Sequence, residues 1–305
     1  MRRERGVAVI TAILIVAVAA SAAALMLAQQ SAMLDQTALV ASRAQADEYA
    51  RAGVDWSRGI LMQDSATSAA YDGLDEQWAQ PIAGMPVDRA VVSGAIADEQ
   101  GKFNLNNLLQ GVQRSDPDMK VFQRLLASLG LAPELADAVL DWIDPDSDLS
   151  GNGGAEDPYY LSLAKPYRTA NTQMVQIEEL YRVRGFDAAT VAKLRPYVTA
   201  LPLHTAINVN TASDLVLAAL MPDVPKEKIA ALIAMRRTRP FKTTEMITAW
   251  AQQASGLLPT SLDVKSNYFS TRIVVAQDDV QLSTDALLVR GQQGLISIAW
   301  RRPRY

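Results

Sequence analysis

Hydrophobic residues follow three regimes along the chain. The first is continuous: after Arg2, Arg3, Glu4 and Arg5, no charged side chain occurs from residue 7 to residue 34, and Asp35 ends the run. Residues 7–28 are dominated by Val, Ile, Leu and Ala. At about 1.5 Å rise per residue, they reach across a hydrocarbon layer of about 30 Å. This predicts one transmembrane helix, and its basic flank places the N-terminus in the cytoplasm and the bulk on the far side. A cleaved secretory signal, with the small residues 22–24 as its cut, is the alternative, but its apolar stretch runs only about 7–15 residues. The second regime has a period near 3.6. Ala46, Tyr49, Gly53, Trp56 and Ile60 recur three or four positions apart, with Asp47, Glu48, Arg51, Asp55 and Arg58 between them. The helix is expected to continue past the membrane and to press that stripe onto a core.

The third regime has a period of two. Residues 87–97 are β-branched or small, and 98–101 read as a turn before 102–105, which predicts a hairpin; further strands are expected at 267–276, 286–289 and 295–300. Between these groups, over 109–261, the helical period returns in short segments: 119–129, 133–143, 177–183, 188–194, 212–220 and 225–237. Pro133 and Pro225 stand at helix starts, where the missing N–H costs nothing. Aligning them brings "ASLGLAPELADAVLDWI" onto "AALMPDVPKEKIAALIAM", a weak internal repeat. The pattern is α+β: a small antiparallel sheet interrupted by an all-helical insert.

With 49% hydrophobic and 20% charged residues the chain is globular in character. A formal charge of −4 argues against a general nucleic-acid binder, which needs a basic face. The absence of cysteine excludes disulfides and thiolate chemistry, and His204 is the only histidine. No phosphate-cradling or dinucleotide glycine motif and no nucleophile elbow occurs, so the expectation is a protein without catalytic residues.

The densest chemistry is acidic. Asp144, Asp146 and Asp148 alternate in a loop, and Glu156 and Asp157 follow Gly151, Gly153 and Gly154. Five carboxylates this close repel one another, and a hard cation relieves the repulsion. All-oxygen donors in a flexible loop suit Ca2+ better than Mg2+ or Zn2+. The spacing begins as an EF-hand but departs at Leu149, where glycine is needed, and at Ala155, with the acid one residue late at Glu156. An irregular calcium loop over 144–157 is therefore expected, and a solvated acidic loop is the alternative.

The basic residues, Gly6, and the apolar helix from Val7 resemble the leader of type IV pilins and type II secretion pseudopilins. The resemblance implies cleavage after Gly6 by prepilin peptidase and methylation of Val7. Thr11 stands where most of that class carry a glutamate; the K-type minor pseudopilins typically lack it. The strings "ADEQGKFNLNNL", "DWIDPDSD", "GAEDPYYLSL", "PYVTALP" and "INVNTA" extend the resemblance to the K type along nearly the whole chain. It implies a leader at 1–6, a transmembrane and N-terminal helix at 7–64, and a pilin-like domain at 65–108 and 262–305. A SAM/helix-hairpin-helix-like insert would fill 109–261, with calcium in its acidic loop. It further implies a single pass of the bacterial inner membrane with the bulk in the periplasm, and assembly at a pseudopilus tip. The implied partners are other minor pseudopilins, the major pseudopilin, prepilin peptidase, secreted cargo and the outer-membrane secretin. A minor pilin of a type IV pilus is the close alternative.

Residues 207–247 also resemble a helix-hairpin-helix unit of membrane-anchored DNA receptors. Such a unit points backbone N–H groups of a glycine hairpin at a phosphate. Here the hairpin is Met221, Pro222, Asp223, Val224 and Pro225, in which the prolines remove donors and Asp223 repels phosphate. Arg236, Arg237 and Arg239 match charges at a helix C-terminus. No nucleic-acid partner is expected.

Overall fold

The computed structural model describes residues 3–67, 70–254 and 261–304. The first two residues of the expected leader and the 255–260 end of the expected insert lie outside them. Helix α1, Arg3–Thr67, runs for 65 residues without a proline to break it. From residue 7 to residue 41 every side chain is exposed, and from Ser42 onward one face turns inward. A single helix thus has an apolar half that touches nothing in the chain and a half that builds the core.

The inward face is Ala46, Ala50, Val54, Ser57 and Leu61, all buried. It crosses a five-stranded antiparallel sheet formed by β1 (Ile82–Val87), β2 (Ala90–Asp98), β3 (Tyr268–Gln277), β4 (Val280–Arg290) and β5 (Ile296–Arg304). Alanines and Gly53 on the helix leave room for bulk on the strands: a Cβ on Gly53 would come within 2.8 Å of Ile273. Phe269 meets Trp78 edge to face at 5.2 Å, and both are buried. Side chains of this size each contribute roughly 1.5–3 kcal/mol by burial. The expected stripe is corrected at Trp56, which is 46% exposed; the true stripe follows 50, 54, 57 and 61 and leaves Trp56 on the outer face.

The strands lie in the sheet in sequence order, and the insert departs between neighbours. Asp98 at the end of β2 pairs with Phe269 at the start of β3, so the chain leaves and returns at one place and a large insertion leaves the ladder intact. The expected hairpin at 98–105 is absent. Asp98 instead accepts from the N–H of Gln100 at 2.8 Å and caps a short 3-10 turn, Glu99–Gly101. The chain then enters the insert, where Phe103–Asn104 pairs in parallel with Val198–Thr199. The hairpin partner of β2 is β1, whose Gly84 and Pro86 weaken its strand signature.

Seven short helices follow among the described residues: α2 (Asp116–Ser128), α3 (Leu135–Ile143), α4 (Asp157–Leu161), α5 (Ala188–Leu194), α6 (Asp214–Leu220), α7 (Lys226–Arg236) and α8 (Thr244–Ala254). They enclose a second core that includes Phe103, Phe122, Leu126, Leu140 and Tyr160. Buried asparagines replace backbone partners in the connecting loops. Asn106 accepts from Met174 N–H at 2.9 Å, Asn107 from Thr205 N–H at 3.0 Å, and Asn210 from Phe241 N–H at 2.9 Å. Those side chains satisfy loop amides that no strand reaches.

Candidate functional site

The acidic loop connects α3 to α4, and helix geometry organises it. Asp141 and Asp144 stand three positions apart at the end of α3, on one face, and Asp144 leaves the helix in an extended conformation. Glu156 returns just before α4. Carboxylate oxygens of Asp144, Asp146 and Glu156 lie within 4.8 Å of one another, with Asp144 and Glu156 buried. Asp144 Oδ1 and both oxygens of Glu156 are buried without a hydrogen-bond partner, and so is Oδ2 of Asp141. Asp141 is fully buried, and its other oxygen accepts from Ser150 N–H at 2.9 Å. No lysine or arginine pairs with any of these four among the described residues.

The electrostatics follow from that arrangement. Burial, then the charges of Asp146, Asp141 and Asp148, push Asp144 up to about 7. Burial, then Asp141 and Asp144, push Glu156 up to about 7. Burial also raises Asp141. Orphaned buried carboxylate oxygens cost free energy unless a proton or a cation meets them. Glycine permits the crowding: a Cβ on Gly154 would lie 2.3 Å from Asp141 Oδ2, and one on Gly153 would lie 2.0 Å from the Glu134 carbonyl oxygen. The donor set is all oxygen and anionic, which fits a hard divalent cation and Ca2+ in particular.

Of the five expected ligands, the fold brings Asp144, Asp146 and Glu156 together. Asp148 is exposed and uses its N–H to donate to Asp146 Oδ1 at 2.8 Å. Asp157 faces a different segment, accepting from Thr169 N–H and Oγ1 at 3.0 and 2.9 Å and pairing with Arg168 at 3.4 Å. Asp141 was missed because a helical position within an apolar run reads as core; its signal is the i, i+3 spacing to Asp144.

A second acidic cluster lies where α1 ends. Asp64, Asp72 and Glu76 converge there, but Arg290 from the end of β4 enters the group. Its guanidinium donates to Asp64 at 2.9 Å and to Asp72 at 2.8 Å. Glu76 Oε2 accepts from Gly73 N–H at 2.9 Å and Trp78 Nε1 at 3.0 Å. Burial, then Glu76 and Asp72, still push Asp64 up to about 7 against the opposing pull of Arg290.

At the N-terminus, Gly6 and Val7 lie within the first turns of α1. Thr11 donates to the carbonyls of Val7 at 2.9 Å and Ala8 at 3.0 Å, so its hydroxyl is satisfied by its own helix and offers no charge to a neighbour. In the hairpin between α6 and α7, Met221 and Val224 are buried. Arg236 is buried as well, donating to the carbonyl of Val209, and cannot reach a phosphate outside.

Comparison with known proteins agrees on one family. Profiles of the family described as "Type II secretion system (T2SS), protein K" match residues 101–203 and 207–272. Type II secretion system protein K of Pectobacterium carotovorum is 33% identical, over 94% of this chain and 92% of its own length. The Aeromonas hydrophila protein of that name is 31% identical over 95% and 94%, and the Pseudomonas aeruginosa one 33% identical over 99% and 93%. A chain in the crystal structure of the GspK-GspI-GspJ complex from enterotoxigenic Escherichia coli has the same fold, with a TM-score of 0.73 over 88% of this chain and 99% of that one, at 24% identity. The chain belongs to the protein K family of the type II secretion system, the K-type minor pseudopilins.

Proposed function

We propose that this minor pseudopilin sits at the tip of the type II secretion pseudopilus and starts its assembly, so that it supports export by assembly rather than catalysis. The observation that carries the reading is α1: residues 7–34 carry no charge and are exposed throughout, while one face of the helix from Ser42 onward is buried on a sheet. Such a helix anchors in the inner membrane and bundles there through small side chains such as Ala17, Ala19, Ala20 and Ser21. The periplasm receives the sheet and the insert, in keeping with the basic flank. Prepilin peptidase cuts after Gly6, and Val7 becomes the methylated N-terminus. A filament subunit needs a charge partner for the subunit above it; Thr11, bonded to its own helix, supplies none, which suits a position with nothing above.

The partners in this reading are other minor pseudopilins, in line with the neighbour solved as a GspK-GspI-GspJ complex, together with the major pseudopilin, the peptidase, secreted cargo and the secretin. The insert, with its α6–α7 pair of helix-hairpin-helix-like form, is too bulky for a filament shaft and caps the end. One Ca2+, held by Asp141, Asp144, Asp146 and Glu156, would pin the α3–α4 loop. Mass spectrometry of the N-terminus, from cells with and without prepilin peptidase, tests the reading. Methylated Val7 only in cells with the peptidase is expected; a chain that keeps Met1, or is cut near Ala24, would overturn it.

A further inference from the structure

A groove between the insert and the outward face of the sheet takes no part in anchoring or in the acidic loop. With α1 covering one face, the opposite face carries two rows across the strands. Ala97, Ser270, Leu287 and Trp300 form one, and Ala95, Arg272, Asp285 and Arg302 the next. Residues 175–178 and Arg195 of the insert form the facing wall. The space between is about 530 Å³, within the roughly 300–1,000 Å³ of binding clefts.

Its charge is opposite to that of the chain. Lys102 is matched by Glu99 at 2.8 Å and Arg195 by Glu178 at 2.7 Å. Asp285 serves two guanidinium groups at once, Arg272 at 2.7 Å and Arg304 at 3.3 Å. Arg302 pairs with no carboxylate among the described residues: it donates to Gln176 Oε1 and lies over the Trp300 ring, 4.8 Å from its centre. Five cations thus line the groove against three carboxylates, a surplus of two positive charges on a chain of formal charge −4. The floor is apolar at Leu201, Leu287 and Trp300. At the lip, β5 pairs with β4 alone among the described residues, so its outer edge is open to an extended chain.

We propose that this groove docks an extended acidic segment of a partner polypeptide. A carboxylate of the segment meets the Arg302 fork, which fits it in two parallel hydrogen bonds, and an adjacent apolar side chain lies on Trp300 and Leu287. A polyphosphate backbone is a poorer match, because two surplus charges over an apolar floor cannot balance a dense row of phosphates.

The test is fluorescence anisotropy with the full chain in nanodiscs and an end-blocked peptide of alternating glutamate and leucine. The control peptide carries glutamine in place of glutamate. The glutamate peptide is expected to bind and to weaken as salt rises. Arg302→Gln should weaken it by about fivefold, the size of one partly exposed ion pair. Arg304→Gln, further out on the strand, should weaken it less, and Arg302→Lys should retain part of the binding. Thermal melts of the three variants establish that each is folded. Equal binding of the two peptides, no binding by the wild-type chain, or binding unchanged in both glutamine variants would overturn the proposal and leave the arginines as guards of an edge strand.

Discussion

The chain builds two buried acidic clusters and resolves them in opposite ways. At the end of α1, Asp64, Asp72 and Glu76 are joined by Arg290 from β4, and the fold carries its own cation. In the α3–α4 loop, Asp141, Asp144, Asp146 and Glu156 have no basic partner among the described residues, and four carboxylate oxygens there are buried without a hydrogen bond. The location explains the difference. The first cluster ties the anchor helix to the sheet, and a covalently supplied guanidinium makes that joint independent of any dissolved cation. The second lies in a glycine-rich loop, where the proposed Ca2+ would come from solution and loop order would depend on its supply. Under that proposal, similar carboxylate counts serve permanent cohesion in one place and conditional cohesion in the other.

The sharpest way to break the comparison is to remove the internal cation. Arg290→Met leaves Asp64 and Asp72 buried without their partner, and loss of one side of such a group costs about 3–5 kcal/mol. Chemical denaturation should show that loss with or without calcium; a calcium-dependent loss would mean that the clusters are coupled. Next in size is withdrawal of calcium from the loop, where a ligand at 100 times its Kd stabilises by about 2.7 kcal/mol. Chelation should lower Tm in the wild-type chain and leave Asp141→Asn, Glu156→Gln double variants unmoved.

The third prediction concerns pH. Asp144 and Glu156 are raised to about 7 in the folded chain, above their ordinary values of 3.8 and 4.5. The unfolded chain therefore gives up these protons first, and the stability of the chelated protein falls as pH rises from about 4 to about 7. Calcium replaces the protons and should flatten that fall. Asp64, also about 7, adds its own slope in both states, so melts with and without calcium across this range isolate the loop. The smallest effect is expected for Asp157→Asn, which weakens the contacts to Thr169 and Arg168 at about 1 kcal/mol while leaving calcium affinity unchanged.

These two clusters also mark what the sequence conveys. The loop acids were legible because they fall within fourteen consecutive positions, 144–157. Arg290 and Asp64 are 226 positions apart, and no local pattern joins them. The apolar run and the strands β3–β5 were legible from their periods. β1 was not, because a solvent-facing edge strand with Gly84 and Pro86 at its centre lacks alternation and keeps β-branched residues only at its two ends, Ile82 and Val87. The turn at 98–101 has hairpin composition, yet Asp98 is drawn into a buried network with Asn208, Thr211 and Ser266, at 2.9, 2.6 and 2.7 Å. That network directs the chain into the insert, and its members are too far apart in sequence to be read together. Trp56 misled because a large aromatic attracts assignment to the core, while alanines at 46 and 50 carry the actual contact.

The measurement that bears most directly on the division between the two clusters is calorimetric titration of Ca2+ into the chelator-stripped full chain, alongside Glu156→Gln. Saturable heat corresponding to one ion in the wild-type chain, lost in the variant, is the expected result, with the Asp64 cluster taking up none. No heat in the wild-type chain, or the same heat in the variant, would contradict the assignment of the α3–α4 loop as a cation site.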